Sequence, residues 1–276
     1  MIGALIIVFR EMIEAGLIVG ILMAATKTVA GSRIWILGGV LAGLLGSAIV
    51  AIFTGFIASA FEGSGEELFN AAILAAAVLM LIWHSLWMIR NGRSLASNLK
   101  EAGQEVATGK KTFWALAVIV GTAVMREGSE VVLFLYGIAI NNGGSNMGLL
   151  AGGLLGVALG GVVSALTYQG MLKIPMRHFF SVTNALITLL AAGMAAQSVS
   201  YLEQAGVSTL FTETIWNTSG ILSEKSIPGR VLHTLLGYVD QPSLMQLLAY
   251  LAVIAVVYGS GRMLRVSAPP AVAKRA

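Results

Sequence analysis

Seven stretches of the chain run with few polar residues for the length of a bilayer-crossing helix: residues 2–25, 34–60, 68–89, 112–139, 148–168, 178–200 and 244–264. About 20 predominantly apolar residues cross the hydrocarbon core as a helix. The pattern therefore predicts an all-α, polytopic membrane protein with about seven transmembrane helices. The first stretch lacks a basic start, and Arg10, Glu11 and Glu14 interrupt its apolar heart. It is expected to be a retained span rather than a cleavable signal. Composition agrees: 57% of residues are hydrophobic and 11% charged, where soluble domains carry about 25% charge.

Charge then orients the pattern. Alternating the connections between two sides collects Lys27, Arg33, Arg90, Arg93, Lys100, Lys110, Lys111, Lys173, Arg177 and the basic C-terminal residues on one side. The other side receives only Lys225 and Arg230. The excess of basic residues marks the cytoplasmic face, which puts the N-terminus outside and the C-terminus inside the cell. Glu62, Glu66, Glu67, Glu203, Glu213, Glu224 and Asp240 fall on the outer face, which favours cations. The net charge of +4 is thus an orientation signal, and no nucleic-acid partner is expected. The absence of cysteine excludes disulfides and thiolate ligands.

The stretches repeat. REMIEAGLIVGI in the first aligns with REGSEVVLFLYGI in the fourth; the second and fifth are glycine-rich, and the third and sixth open on phenylalanine. The organisation expected is a three-helix unit over 1–90, a charged, helical cytoplasmic linker over 91–111 and a second unit over 112–200. An extracytoplasmic segment over 201–243 and a seventh helix with a cytoplasmic tail over 244–276 complete it. Three is odd, so the second unit enters the membrane from the opposite side, an inverted repeat. Such repeats place substrate near the midplane at their interface. Gly39 with Gly43 and Gly156 with Gly160 have the spacing that brings helix backbones together, and are read as packing residues.

The repeated charges carry the chemistry. Arg10, Glu11 and Glu14 recur as Arg126, Glu127 and Glu130, in the same order and spacing. Glutamates three apart share a helix face, and an arginine pairs with the glutamate four residues on. A charge at the bilayer centre costs about 2.5–3.5 kcal/mol even on the lenient insertion scale, so these groups must face inward and meet partners or an ion. Helix-to-helix glue is the competing reading, but a buried ion pair stabilises no better than apolar residues of like volume. Four carboxylates against two guanidinium groups leave a site for a cation. Hard oxygen donors suit Fe, Mn, Mg or Ca. The arginines would tune the charge of the carboxylates. Met12 and Met125 beside the motifs are read as packing. His84, in IWHSLW, has no carboxylate near it in sequence and is read as a packed or interfacial histidine.

Two R-E-x-x-E motifs in the first and fourth of seven spans resemble the oxidase-dependent iron permease family, including its bacterial Efe-type branch. GEELF at 65–69, FF…AAGMAAQ…EQAG across 179–206 and LGY…PS…LLAY at 236–250 extend the likeness over nearly the whole chain. The resemblance implies a permease of the cytoplasmic (inner) membrane, not an enzyme, without a cofactor. Iron would be the transported ion, passing Glu11, Glu14, Glu127 and Glu130 beside Arg10 and Arg126. It also implies an extracytoplasmic oxidase, peroxidase or metal-delivery protein as partner. Glu66, Glu67 and Glu203 are second-tier candidates for collecting cations at the outer mouth. Asn70 stands where bacterial members often have a carboxylate (EELFE). A permease for manganese or lead is the alternative cargo reading. A membrane-embedded metalloenzyme is disfavoured, because no nucleophile–base pair or histidine-rich ligand set is visible.

Overall fold

The computed structural model of the chain describes residues 1–60, 65–141, 146–170, 176–207, 211–224 and 226–266. Lys173, Lys225, Lys274, Arg275 and Glu62, which entered the orientation argument, lie outside the described residues. The elements are α1 (Ile2–Ala25), α2 (Ser32–Ala60), α3 (Glu66–Ala107), α4 (Phe113–Asn141), α5 (Asn146–Tyr168), α6 (Met176–Gln204), α7 (Ile227–Leu236) and α8 (Leu244–Val266). Among the described residues the only β pairing is a bridge between Thr214 and Ser243.

Among the described residues four helices are long and apolar enough to cross a membrane, over Ser32–Phe56, Glu66–Met88, Met147–Tyr168 and Val182–Gln204, and Leu244–Ser260 is a shorter apolar helix. α1 and α4, of 24 and 29 residues, reach the same length, at about 1.5 Å per residue. Each carries one charged triplet. The chain is a multi-pass, all-helical membrane protein. Residues 91–107, expected to belong to a linker, prolong α3 into a helix of 42 residues. The segment after α6 holds the short α7. Ser226 Oγ accepts a hydrogen bond from the Gly229 amide at its start, and Gly237 ends it at φ 67°, a left-handed value that glycine takes without strain.

Helix pairing follows the repeat. α1 packs on α5 and α2 on α4, while α1 meets α4, α3 meets α6, and α8 lies against α6 and α3. Exchanging α1 with α4, α2 with α5 and α3 with α6 converts the α1/α5 pair into the α4/α2 pair. The α1/α4 and α3/α6 pairs return to themselves.

Glycine sets the two close pairs. A Cβ on Gly39 would stand 2.6 Å from the Ala117 carbonyl oxygen, and one on Gly43 would stand 2.7 Å from that of Gly121. On α5, a Cβ on Gly156 would lie 2.9 Å from the Leu5 oxygen, and one on Gly160 would lie 2.7 Å from Met12 Cβ. Contacts this short admit no side chain, so the backbones touch directly. Their register makes α2 parallel to α4 and α1 parallel to α5.

Two apolar cores leave a gap between them. One joins Ile7, Leu74, Leu81, Phe134, Ile138 and Met194. The other joins Ile18, Leu22, Ile36, Leu99, Leu116 and Val120. Rising numbers in α1 meet falling numbers in α4, so these two helices run in opposite directions. The charged triplets fall in the gap.

Candidate functional site

Each triplet spans one helical turn, so its side chains leave the helix on neighbouring faces. On α1, Arg10 Nη1 donates to Glu11 Oε1 at 2.9 Å, and Nη2 lies 2.9 Å from Glu14 Oε1. On α4, Arg126 Nε donates to Glu130 Oε1 at 3.0 Å and stands 3.9 Å from Glu127 Oε1. Arg10, Glu11, Glu14, Glu127 and Glu130 are all buried. Arg126 differs: its side chain is 33% exposed, and its guanidinium lies 4.4 Å from the ring centre of Trp87.

His84 joins the two triplets. It is fully buried on α3, with Nδ1 2.6 Å from Glu130 Oε2 and Nε2 3.5 Å from Glu14 Oε2. Arg126 Nη2 is 3.3 Å from the same Nδ1. The expectation of a histidine without carboxylate partners is therefore corrected. His84 is packed, but between carboxylates of two other helices. Sequence reasoning missed it because its partners lie in helices one and four, and nothing local to IWHSLW points to them. A titratable ring in the middle of the apolar run of α3 was the available signal.

One ligand atom each from Glu11, Glu14 and His84 lie within 4.8 Å of one another, and so do one each from His84, Glu127 and Glu130. Five buried atoms here have no hydrogen-bond partner: Glu11 Oε2, Glu14 Oε1, His84 Nε2, Glu127 Oε2 and Glu130 Oε2. Two of them do stand near a nitrogen without the alignment of a hydrogen bond, Glu14 Oε1 near Arg10 at 2.9 Å and Glu130 Oε2 near His84 at 2.6 Å. Buried polar atoms are nearly always satisfied, so this concentration calls for an account. Lone pairs converging from both triplets are what a cation would need.

A cavity of about 380 Å³ reaches this cluster from the side where α1 ends and α4 begins. Glu14, Arg126 and Glu127 form its polar wall, with Leu17, Trp87 and Leu99 among the apolar residues. On the opposite side the core around Ile7, Leu81 and Phe134 closes over the cluster.

The second-tier candidates lie elsewhere. Glu66 and Glu67 are exposed in the first turn of α3. Asn70 is half-buried one turn further along. Glu203 accepts from Ser243 Oγ at 2.6 Å and from Gln246 Nε2 at 3.3 Å, so it ties the end of α6 to the start of α8. The methionines beside the motifs face the glycine helices: Met12 lies against Gly160, and Met125 against Gly46.

The sequence model of the Iron permease FTR1 family matches residues 1–263. Among curated proteins, the ferrous iron permease EfeU of Escherichia coli O6:K15:H31 (strain 536 / UPEC) is 31% identical over 245 residues, covering 87% of this chain and 88% of the relative. The protein of the same name from Shigella sonnei (strain Ss046) is 31% identical over 245 residues, with the same coverage. That of Yersinia pestis is 30% identical over 250 residues, covering 89% of this chain and 87% of its own length. No solved structure matches the chain.

Proposed function

Because the chain belongs to the iron permease FTR1 family, we propose that it imports iron across the cytoplasmic membrane through the carboxylate cluster between α1 and α4. The single observation that carries this reading is the convergence of Glu11, Glu14, Glu127 and Glu130, all buried, each with an oxygen that makes no hydrogen bond. Isolated charges in this environment would be expensive, and inward-facing acids in membrane helices mark ion pathways. The relatives are named for ferrous iron, so Fe²⁺ is the cargo proposed here. Four carboxylates and two guanidinium groups leave two negative charges, which Fe²⁺ would neutralise.

The opposite directions of α1 and α4, and the exchange symmetry of the helix pairs, support two inverted three-helix units with α8 as the seventh span. Positive charge then places the cavity on the cytoplasmic side and the closed core around Phe134 outside. Rocking of one unit on the other would reverse that arrangement. Arg10 and Arg126 hold the carboxylates apart from one another's charge when no ion is present. The segment after α6 lies on the outer face, where a metal-delivery protein or oxidase would dock.

The test is uptake of radiolabelled Fe²⁺ into liposomes holding the purified protein. Glu14→Gln and Glu130→Gln each remove one carboxylate from a different unit and should lower uptake at least tenfold. Unchanged uptake in both variants would refute the site. Competition by excess Mn²⁺ or Pb²⁺ decides between iron and the other divalent cargoes.

A further inference from the structure

We propose that His84 is a nitrogen ligand shared by both carboxylate pairs, and that it makes the centre selective for borderline transition-metal ions over calcium and magnesium. This rests on the reading that the cluster takes a divalent ion, and adds to it the donor that discriminates among ions.

Placement comes first. α3 packs against both α1 and α4, so a side chain on its inner face can serve both triplets. His84 does so with different atoms, Nε2 toward Glu14 and Nδ1 toward Glu130. Each ring nitrogen thus addresses the carboxylates of one three-helix unit. An ion passing from one pair to the other would keep the same residue as ligand while exchanging nitrogens, the ring proton moving from Nδ1, beside Glu130, to Nε2, beside Glu14.

Geometry favours the α1 side as the better-formed half. Metal–ligand bonds of about 2.1 Å put neighbouring ligand atoms about 3 Å apart. The 3.5 Å between Nε2 and Glu14 Oε2 is near that spacing. Nε2 and Glu11 Oε2 also lack hydrogen-bond partners, while Glu14 Oε1 is held by Arg10 at 2.9 Å and leaves Oε2 for an ion. On the α4 side Glu127 Oε2 likewise lacks a hydrogen-bond partner, but Nδ1 and Glu130 Oε2 stand only 2.6 Å apart, closer than two ligands of one ion, and would have to separate.

Donor chemistry supplies the selectivity. Magnesium and calcium take oxygen ligands, whereas imidazole suits iron, zinc, copper and nickel. A neutral imidazole also adds a ligand without adding negative charge, so it strengthens binding of a borderline ion without favouring every divalent cation equally. With glutamates alone, discrimination would fall to size and hydration.

The experiment uses the full-length protein and Cu²⁺, an ion that imidazole suits, as a spin probe. Pulsed electron paramagnetic resonance of the Cu²⁺-loaded wild type should show coupling to the ¹⁴N of a bound imidazole. His84→Gln and His84→Asn should lose that coupling. In liposomes, the excess of Ca²⁺ needed to halve Fe²⁺ uptake should fall about tenfold or more in either variant. Absence of ¹⁴N coupling in the wild type overturns the proposal, and so does an unchanged Fe²⁺/Ca²⁺ ratio in variants that still transport. The wild-type spectrum stands even where a variant fails to fold. Glu14→Gln and Glu130→Gln run in parallel: if they transport normally, the carboxylate site itself has failed, whereas if they do not and the histidine variants keep their selectivity, only the assignment of His84 has.

Discussion

Arg126 lies over the Trp87 ring at 4.4 Å on the wall of the cavity, whereas its counterpart Arg10 is 2% exposed and held by Glu11 and Glu14. The sequence makes these arginines equivalent, and the structure does not. Removing Arg10 strands two buried carboxylates, a loss of about 3–5 kcal/mol for a broken buried pair. Arg126 is partly hydrated, so its loss costs less. Arg10→Leu should therefore lower the thermal midpoint in detergent much more than Arg126→Leu does. Equal losses would mean that the asymmetry has no energetic consequence.

Arg126→Lys separates stacking and fork geometry from charge. Lysine keeps the cation but lacks the planar group that both lies over Trp87 and reaches Glu130 through Nε. The expected outcome is a normally folded protein with several-fold slower Fe²⁺ uptake, read in the liposome assay.

The helix-packing glycines make a sharper contrast. A Cβ on Gly156 would meet the Leu5 oxygen and the Phe9 nitrogen, each at 2.9 Å, whereas around Gly153, on the same helix, nothing lies within 4 Å. Gly156→Ala forces α5 off α1, the helix that carries Glu11 and Glu14. It should lower both the thermal midpoint and uptake, by about 1–3 kcal/mol in stability. Gly153→Ala should leave both near wild type.

How far the sequence reached is visible in these residues. The charged triplets, their inward placement and the packing role of Gly39, Gly43, Gly156 and Gly160 were legible, because each follows from local spacing or from the cost of burying charge. His84 was not, since its significance depends on three helices converging. The inequality of Arg10 and Arg126 was also hidden. It arises from a tryptophan on α3 and a cavity, and neither leaves a mark in the R-E-x-x-E motifs. The helical character of the charged stretch after the third span was legible as well, since no proline interrupts it; only its unbroken continuation of α3 to Ala107 was not.

Glu203 tests the reading of the outer face. Its two oxygens take hydrogen bonds from Ser243 Oγ and Gln246 Nε2, and the Gln246 backbone N–H in turn donates to Ser243 Oγ. A residue engaged in this way acts as a tether between α6 and α8. Glu203→Ala should cost about 1–2 kcal/mol of stability through the lost charge-assisted bonds. A raised KM for Fe²⁺ without any loss of stability would instead favour the cation-collecting role that its position suggests. The doubly substituted Glu66→Gln, Glu67→Gln protein is the companion experiment. These exposed acids should affect KM only at low ionic strength, about twofold, since salt screens such charges.

Orientation is open to direct measurement, because the chain has no cysteine and any introduced thiol is unique. Ile221 is 91% exposed in the segment between α6 and α7, and Lys110 follows the far end of α3. Under the charge-derived orientation the first is outside the cell and the second is inside. Ile221→Cys should react with a membrane-impermeant maleimide in intact spheroplasts, and Lys110→Cys only after the membrane is opened. The reverse result would invert the assignment of the cavity to the cytoplasmic side, and with it the direction in which the cluster is now open. It would leave the meeting of α1, α3 and α4 untouched, because that depends on packing and not on which face the basic residues occupy.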